Sequence, residues 1–226
     1  MENLEERNNV DSKDQVDKRV YFEGKTGGYP RIMFVGNSIT MHGPKPDIGW
    51  YGSWGMAASE KEKDYVHCCI NRIIKDFNNA SFCIVQASIW EREYKNCNLE
   101  KYFAKAKTFN PDIIVCSLSA NILSEDFDSS AFIIGIRGLL QYLSGDNKAK
   151  IIISSSFFRN DEKNMAIEEY AKKHSAAYVY ISDIAKDENN LAVNRFEHQG
   201  VQIHPGDRGM ELLSERYLKQ IYNILS

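Results

Sequence analysis

The sequence predicts an α/β fold in three layers, with helices on both faces of a mainly parallel, flavodoxin-like sheet of about five strands. From residue 30 onward, short apolar runs alternate with longer segments of helical period, which is the pattern of βαβ units. The chain has 226 residues, of which 43% are hydrophobic and 26% charged, enough for one domain with a full core. It contains no internal repeat and no low-complexity tract, so a single globular domain is expected.

The predicted strands are the apolar runs at residues 31–36, 82–87, 112–118, 150–155 and 177–182. Residues 1–28 are rich in charge and poor in apolar side chains over most of their length, which predicts a flexible leader. This leader can end in a short edge hairpin formed by residues 21–24 and the turn at 26–28. Residues 29–226 are then expected to form the single folded domain.

The helix after the first core strand has the clearest pattern. Ser59 and Glu62 form a capping box, and the following apolar residues share one helical stripe: Val66, Cys69, Ile70, Ile73, Ile74 and Phe77. Weaker helical patterns cover residues 99–108, 128–144 and 161–174. A final helix places a second apolar stripe on one face, made of Met210, Leu213, Tyr217, Ile221 and Ile224.

Composition excludes several functions. The net charge of -3 and the pI near 6.0, with scattered basic residues, give no surface for nucleic acid or an anionic membrane. Neither a secretory signal nor a run of about 18 apolar residues is present, which predicts a cytoplasmic protein. Five cysteines without a C-x-x-C pair are expected to be mostly reduced core thiols. No metal or organic cofactor is expected, and the oligomeric state stays open.

Four polar residues follow predicted strands or precede the last helix: Ser38, Ser88, Asn121 and His204. The carboxyl ends of parallel strands share one rim of the sheet, so these residues are expected to meet there. Acyl transfer needs a nucleophile, a base and donors for the oxyanion. Ser38 is the expected nucleophile and His204 the base. The Asn121 side-chain amide and the Ser88 backbone N–H are the expected donors.

Two segments resemble the SGNH hydrolases, also called GDSL-like lipases and acylhydrolases. Residues 36–40, Gly-Asn-Ser-Ile-Thr, match the family's first block, and His204-Pro205 with Asp207 and Gly209-Met210 resembles its last block. The resemblance covers nearly the whole chain after the leader. It implies hydrolysis of a carboxylic ester through an acyl-enzyme on the serine.

The middle blocks depart from the family pattern. Ser88 or Ala87 stands where the family has a glycine whose backbone N–H binds the oxyanion. Ser119-Ala120-Asn121-Ile122 keeps only the asparagine of the usual Gly-x-Asn-Asp.

The family also places an aspartate three residues before the catalytic histidine, and Val201 occupies that position here. Two arrangements are open. A backbone carbonyl near Val201 or Gln202 can accept the Nδ1 proton of His204 and leave a Ser-His dyad, which we favour. Alternatively, Glu197 or Asp183 supplies a displaced orienting carboxylate. Asp207 is expected to cap the final helix.

The loop at residues 42–56 is rich in glycine, proline and aromatic residues and is expected to shape the substrate pocket. Trp50 and Trp54 can bind substrate there or simply close the core beneath the loop. Trp90, after Ser88, and Asn37, beside Ser38, are further candidates for substrate binding. The expected reaction is cleavage of a small acyl ester, with an O-acetyl group on a carbohydrate as a family-level choice. An O-acyltransferase and a catalytically weak ligand-binding module are the alternatives.

Overall fold

The computed structural model describes residues 19–146 and 148–226, so most of the predicted leader lies outside the described residues. A six-stranded sheet runs through the centre of the fold in the order β1-β3-β2-β4-β5-β6. Only β1 is antiparallel to its neighbour. The strands are β1 (Val20–Gly24), β2 (Arg31–Gly36), β3 (Ser81–Gln86), β4 (Ile113–Ser117), β5 (Lys150–Ser154) and β6 (Ala177–Val179). The predicted α/β fold class is confirmed, with one strand more than expected.

The helices are α1 (Tyr65–Asp76), α2 (Ser88–Glu93), α3 (Leu99–Lys107), α4 (Ser129–Leu143), α5 (Asp161–Lys173), α6 (Gln199–Gln202) and α7 (Asp207–Leu225). Strand residues alternate between two hydrophobic cores. Ile32 and Phe34 of β2 pack with α1 and α7 on one face, whereas Met33 and Val35 pack with α3, α4 and α5 on the other. This alternation produces the three predicted layers.

Asparagine or aspartate residues open four of these helices. Asp64, Asn98, Asp128 and Asn160 each accept a hydrogen bond from the backbone N–H three residues later, at the starts of α1, α3, α4 and α5. The predicted capping box at Ser59 and Glu62 is therefore wrong. The helix begins six residues after Ser59, because the buried Asp64 carboxylate takes the capping role.

Two further expectations are wrong. The segment at 20–24 does not form a hairpin with β2, because β1 pairs with β3 at the sheet edge instead. Asp207 does not cap α7, since the N-cap residue is Gly206 and makes no side-chain bond. The Asp207 carboxylate instead accepts hydrogen bonds from the backbone N–H and hydroxyl of Ser59, both at 2.8 Å.

A buried charged network anchors the loop that follows Ser38. The Asp64 carboxylate accepts from the Gly55 backbone N–H at 2.9 Å and contacts His67 Nδ1 at 2.7 Å, and His67 Nε2 lies 3.2 Å from Glu23. Burial disfavours the charge on His67, but hydrogen bonds to Asp64 and Glu23 outweigh it and raise its pKa to about 9. The loop is thus tied to α1 and β1.

None of the described helices is long and apolar enough to cross a membrane.

Candidate active site

Ser38 and His204 meet at the carboxyl rim of the sheet. The Ser38 Oγ lies 2.8 Å from His204 Nε2, although the residues are 166 positions apart in the chain. Ser38 stands in a tight turn directly after β2, where the backbone N–H groups of Thr40 and Met41 both donate to the Asn37 carbonyl. Gly36 permits this turn, because a Cβ there would lie 1.8 Å from Thr40 Oγ1. The turn brings the serine hydroxyl to the position where a base can reach it.

A backbone carbonyl orients the His204 imidazole. His204 Nδ1 lies 2.7 Å from the carbonyl oxygen of Gly200. A carbonyl oxygen only accepts, so Nδ1 carries the proton and Nε2 is left to accept from the Ser38 hydroxyl. The short helix α6 creates this contact by turning the chain back over four residues. The sequence favoured a carbonyl near Val201 or Gln202, and the carbonyl that makes the contact belongs to Gly200, one residue before Val201.

Neither candidate carboxylate reaches the imidazole. Asp183 forms a two-pronged ion pair with Arg216, with distances of 2.5 and 2.8 Å. Glu197 is exposed on the loop before α6. Within the part of the chain that the structure describes, the polar contacts of the His204 ring are those with Ser38 and Gly200. The geometry is that of a Ser-His pair whose imidazole is held by a backbone carbonyl.

Asn121 lies beside a buried carboxylate that the sequence analysis did not single out. Glu91, on α2, is 1% exposed. Its Oε2 accepts from Asn121 Nδ2 at 2.5 Å, and its Oε1 accepts from the Ser119 backbone N–H at 2.6 Å and from Asn37 Nδ2 at 3.1 Å. Burial raises the pKa of Glu91, and these hydrogen bonds offset part of the rise. The sequence did contain a signal for Glu91, because an acidic residue follows the apolar Ile89 and Trp90 close to the rim.

The backbone N–H groups that follow β3 have acceptors within the protein. The Ser88 backbone N–H donates to Gln86 Oε1 at 3.2 Å, and the Ala87 N–H donates to the Gly36 carbonyl at 2.6 Å. Both donors of that turn are therefore occupied, which argues against the oxyanion role expected for Ser88. In the described residues, the Ser38 backbone N–H has no acceptor within the protein. The Ser38 N–H and the second N–H of the Asn121 amide are the donors that remain.

Comparison with known proteins gives matches in structure only. No family profile and no curated protein matches the sequence. The esterase EstA from Pseudoalteromonas sp. superposes with a TM-score of 0.59 at 13% identity, over 87% of this chain and 98% of that one. A family two carbohydrate esterase from Clostridium thermocellum gives 0.58 at 15% identity, over 88% and 64%. A two-domain esterase active on acetylated mannans gives 0.53 at 18% identity, over 84% and 48%.

The chain has the SGNH hydrolase fold. It spans about half of the two-domain esterase and somewhat under two thirds of the Clostridium enzyme, so those proteins contain further segments. Within this SGNH hydrolase fold, the strands that carry Ser38 and Asn121 are adjacent, since β2 pairs with β4. The two residues follow the carboxyl ends of these neighbouring strands.

The aromatic residues expected to bind substrate lie mainly inside the SGNH hydrolase fold. Trp90 is 1% exposed and packs edge-on against Phe132 of α4, so it does not reach the rim. Trp50 is 3% exposed and packs edge-on against Trp54. Both indole N–H groups donate to backbone carbonyls, at His42 and Ala58. Trp50 and Trp54 therefore close a small core, which was one of the two interpretations left open, whereas Tyr51 of the same loop is 73% exposed.

Asn37 also has a different role from the one expected. Its side chain is buried, donates to Glu91 and accepts from the Ile39 backbone N–H at 3.2 Å. These bonds use the amide to hold the turn that carries Ser38. No group of three His, Cys, Asp or Glu side chains in residues 19–146 and 148–226 could hold a metal ion. A cavity of about 530 Å³ lies at the opposite end of the sheet, beside Arg31 and Ser81.

The environment of His204 keeps its imidazole neutral. Burial lowers its pKa to about 4, the hydrogen bond to Gly200 opposes this in part, and the neighbouring His42 and His198 disfavour an added positive charge. A neutral imidazole can accept a proton, whereas the imidazolium cannot. The His204 imidazole therefore stays able to accept a proton over a wider acidic range than an exposed histidine.

We expect the acid limb of kcat/KM to fall near pH 4, because activity is lost only as pH drops through the pKa of His204 in the free protein, about 4. The rate of ester hydrolysis should be measured between pH 3 and 8, with circular dichroism at each pH to follow folding. Half of the activity lost near pH 6.5, the ordinary value for histidine, would contradict this expectation.

We expect Glu197→Gln and Asp183→Asn each to leave kcat/KM within a few-fold of the wild type. Neither carboxylate contacts the imidazole, so neutralising it removes no interaction with the base. If one of them completed a triad in solution, its neutral variant would lose on the order of 10⁴-fold. Steady-state kinetics on both variants, with melting temperatures to detect loss of the Asp183–Arg216 pair, separates these results.

Proposed function

We propose that this protein is a serine esterase that cleaves a small acyl ester through an acyl-enzyme on Ser38. The contact between Ser38 Oγ and His204 Nε2 at 2.8 Å, with Nδ1 held by Gly200, is the observation that carries the proposal. It joins a nucleophile to a base of the correct tautomer. The fold shared with known esterases supports the same reaction class.

The proposed reaction proceeds in two halves. Ser38 Oγ attacks the ester carbonyl carbon while its proton passes to His204 Nε2. The resulting oxyanion accepts hydrogen bonds from the Ser38 backbone N–H and the Asn121 amide. His204 then returns the proton to the leaving alcohol oxygen as the C–O bond breaks, and an acyl-Ser38 ester remains. Water attacks that ester by the same route, with His204 as base, and releases the carboxylic acid and the free serine.

The small size of the acyl group follows from burial. Ser38 is 7% exposed and His204 is 1% exposed, so little of the reacting pair faces solvent. Such a buried pair favours an acetyl group over a long acyl chain. Two of the structural relatives are a carbohydrate esterase and an esterase active on acetylated mannans, which favours an O-acetyl group on a carbohydrate as the substrate.

Hydrolysis of p-nitrophenyl acetate, butyrate and octanoate tests the proposal. We expect the acetate to be the best substrate, with a decrease in kcat/KM as the chain lengthens. Release of acetate from an acetylated oligosaccharide tests the carbohydrate assignment. Transfer of the acetyl group to an added sugar in preference to water would instead identify an acyltransferase, and binding without turnover would identify a ligand-binding module.

We expect Asn121→Ala to lower kcat on the order of 10²–10³-fold with little change in KM. The Asn121 amide donates to charge that develops in the transition state, so its loss affects turnover more than substrate binding. Steady-state kinetics with p-nitrophenyl acetate measures both constants. Equal kcat in the variant and the wild type would remove Asn121 from the mechanism.

A further inference from the structure

Glu91 is a buried carboxylate with no role in the steps above. Its side chain leaves α2 toward the rim, and its two oxygens accept hydrogen bonds from three residues, Asn37, Ser119 and Asn121. A desolvated carboxylate is costly unless its oxygens are satisfied by donors. The neighbouring Ile89 and Trp90 show that this helix can fill its inner face with apolar side chains. The carboxylate therefore has a task beyond packing.

The bonds to Glu91 connect the two sides of the candidate site. Asn37 immediately precedes the nucleophile, whereas Ser119 and Asn121 belong to the turn after β4. Ser119 has a positive φ of 118°, a conformation that is unfavourable for serine and is held in place by the bond from its backbone N–H to Glu91 Oε1. One carboxylate thus fixes both the nucleophile turn and the Asn121 turn.

The Glu91 carboxylate accepts at both oxygens, from the Ser119 backbone N–H at Oε1 and from Asn121 Nδ2 at Oε2. It therefore decides which end of the Asn121 amide faces it. Nδ2 lies 2.5 Å from Glu91 Oε2, so one of its two hydrogens is used there and the other is available to a different acceptor. With the amide reversed, Oδ1 would occupy the position of Nδ2, and a developing oxyanion would meet an oxygen instead of an N–H.

We propose that Glu91 is a positioning residue that fixes the orientation of the Asn121 side-chain amide and so directs its second N–H to the oxyanion. The proposal rests on the proposed esterase function for its catalytic consequence. The orientation itself is a property of the resting protein and can be measured without substrate.

Glu91→Gln is the sharpest test because it preserves shape. The glutamine Oε1 can keep the bonds from Ser119 and Asn37, which places its Nε2 against Asn121 Nδ2. Two donors then face each other, and the Asn121 amide turns over. We expect kcat for p-nitrophenyl acetate to fall about 10²-fold, the scale of losing one oxyanion donor, with KM within a few-fold. Glu93→Gln is the matched control, since Glu93 is exposed on the same helix.

A double-mutant cycle with Asn121→Ala separates positioning from general support of the fold. If Glu91 acts through Asn121, the double variant should be no slower than Asn121→Ala alone. Losses that multiply in the double variant would overturn the proposal. So would a Glu91→Gln variant with wild-type kcat.

Nuclear magnetic resonance tests the orientation independently of activity. In the wild type, one Asn121 side-chain N–H proton should be shifted downfield and exchange slowly with solvent, and the pair of signals should be absent from Asn121→Ala. An unshifted, rapidly exchanging pair in the wild type would overturn the proposal even if Glu91→Gln fails to fold. A shifted pair in a protein without esterase activity would support the positioning role and count against the proposed function alone.

Discussion

Ser38→Ala is expected to abolish ester hydrolysis, with a loss in kcat on the order of 10⁴-fold or more. In the proposed mechanism the Ser38 oxygen attacks the carbonyl carbon, and alanine lacks that oxygen, so no acyl-enzyme should form. The residual rate should be that of water at a site which still binds substrate. Among the described residues, the Ser38 hydroxyl has its hydrogen bond with His204, so the substitution should change the melting temperature little. Kinetics with p-nitrophenyl acetate and a thermal scan measure the two effects.

Ser88→Ala is the matched control for this experiment. Ser88 is also a buried serine near the carboxyl rim, but its hydroxyl donates to Gln86 Oε1 at 2.9 Å. Its loss should leave kcat within a few-fold. Intact-mass spectrometry after an activated phosphonate ester is added should show one adduct in the wild type and in Ser88→Ala, and none in Ser38→Ala. Turnover or labelling that survives in Ser38→Ala would show that another residue is the nucleophile.

Much of the architecture could be predicted from sequence because the buried strands are short and continuously apolar. The first core strand was placed at residues 31–36, where β2 lies, and the other four began within one residue of their observed starts. The edge strand β1 was expected to belong to a short hairpin, but it pairs with β3. Its residues Val20–Gly24 can pair with any exposed strand edge, and the choice of β3 over β2 depends on sheet order, which a local pattern does not contain.

The predicted nucleophile and base meet because both follow elements whose ends share the rim, and a rule of topology suffices to bring them together. The orienting carbonyl of Gly200 could not be located in the same way. It depends on α6, which is four residues long and too short to show an apolar period in the sequence. Glu91 was missed for a related reason, since α2 is only six residues long and the partners of a buried carboxylate come from distant turns. Polar contacts between residues far apart in the chain produce no regular spacing by which the sequence could reveal them.

The aromatic loop shows a different limit of sequence reasoning. Trp50 and Trp54 carry both an apolar ring and an N–H donor, so they suit a core position and a sugar-binding surface equally well. The structure places them in a small core, and their N–H groups are used by backbone carbonyls. Burial, which the sequence pattern did not determine, separates the two roles.

His204→Gln is expected to lower kcat on the order of 10⁴-fold, close to the loss from removing the serine, because residues of a dyad act as one unit. The glutamine approximates the size of the imidazole and keeps polar atoms near Ser38 and Gly200, but it cannot take the serine proton. The buried site also excludes much of the water that could serve as a substitute base, since His204 is 1% exposed.

Two rates should fall together in His204→Gln. Hydrolysis of p-nitrophenyl acetate and labelling of Ser38 by the phosphonate ester both begin with attack by the serine oxygen, so both need the base. His198→Gln is the matched control, because His198 is exposed and lies near enough to influence the His204 charge without contacting Ser38. It should keep both rates within a few-fold. If His204→Gln labels as fast as the wild type while retaining its melting temperature, the proton acceptor of Ser38 must be another group.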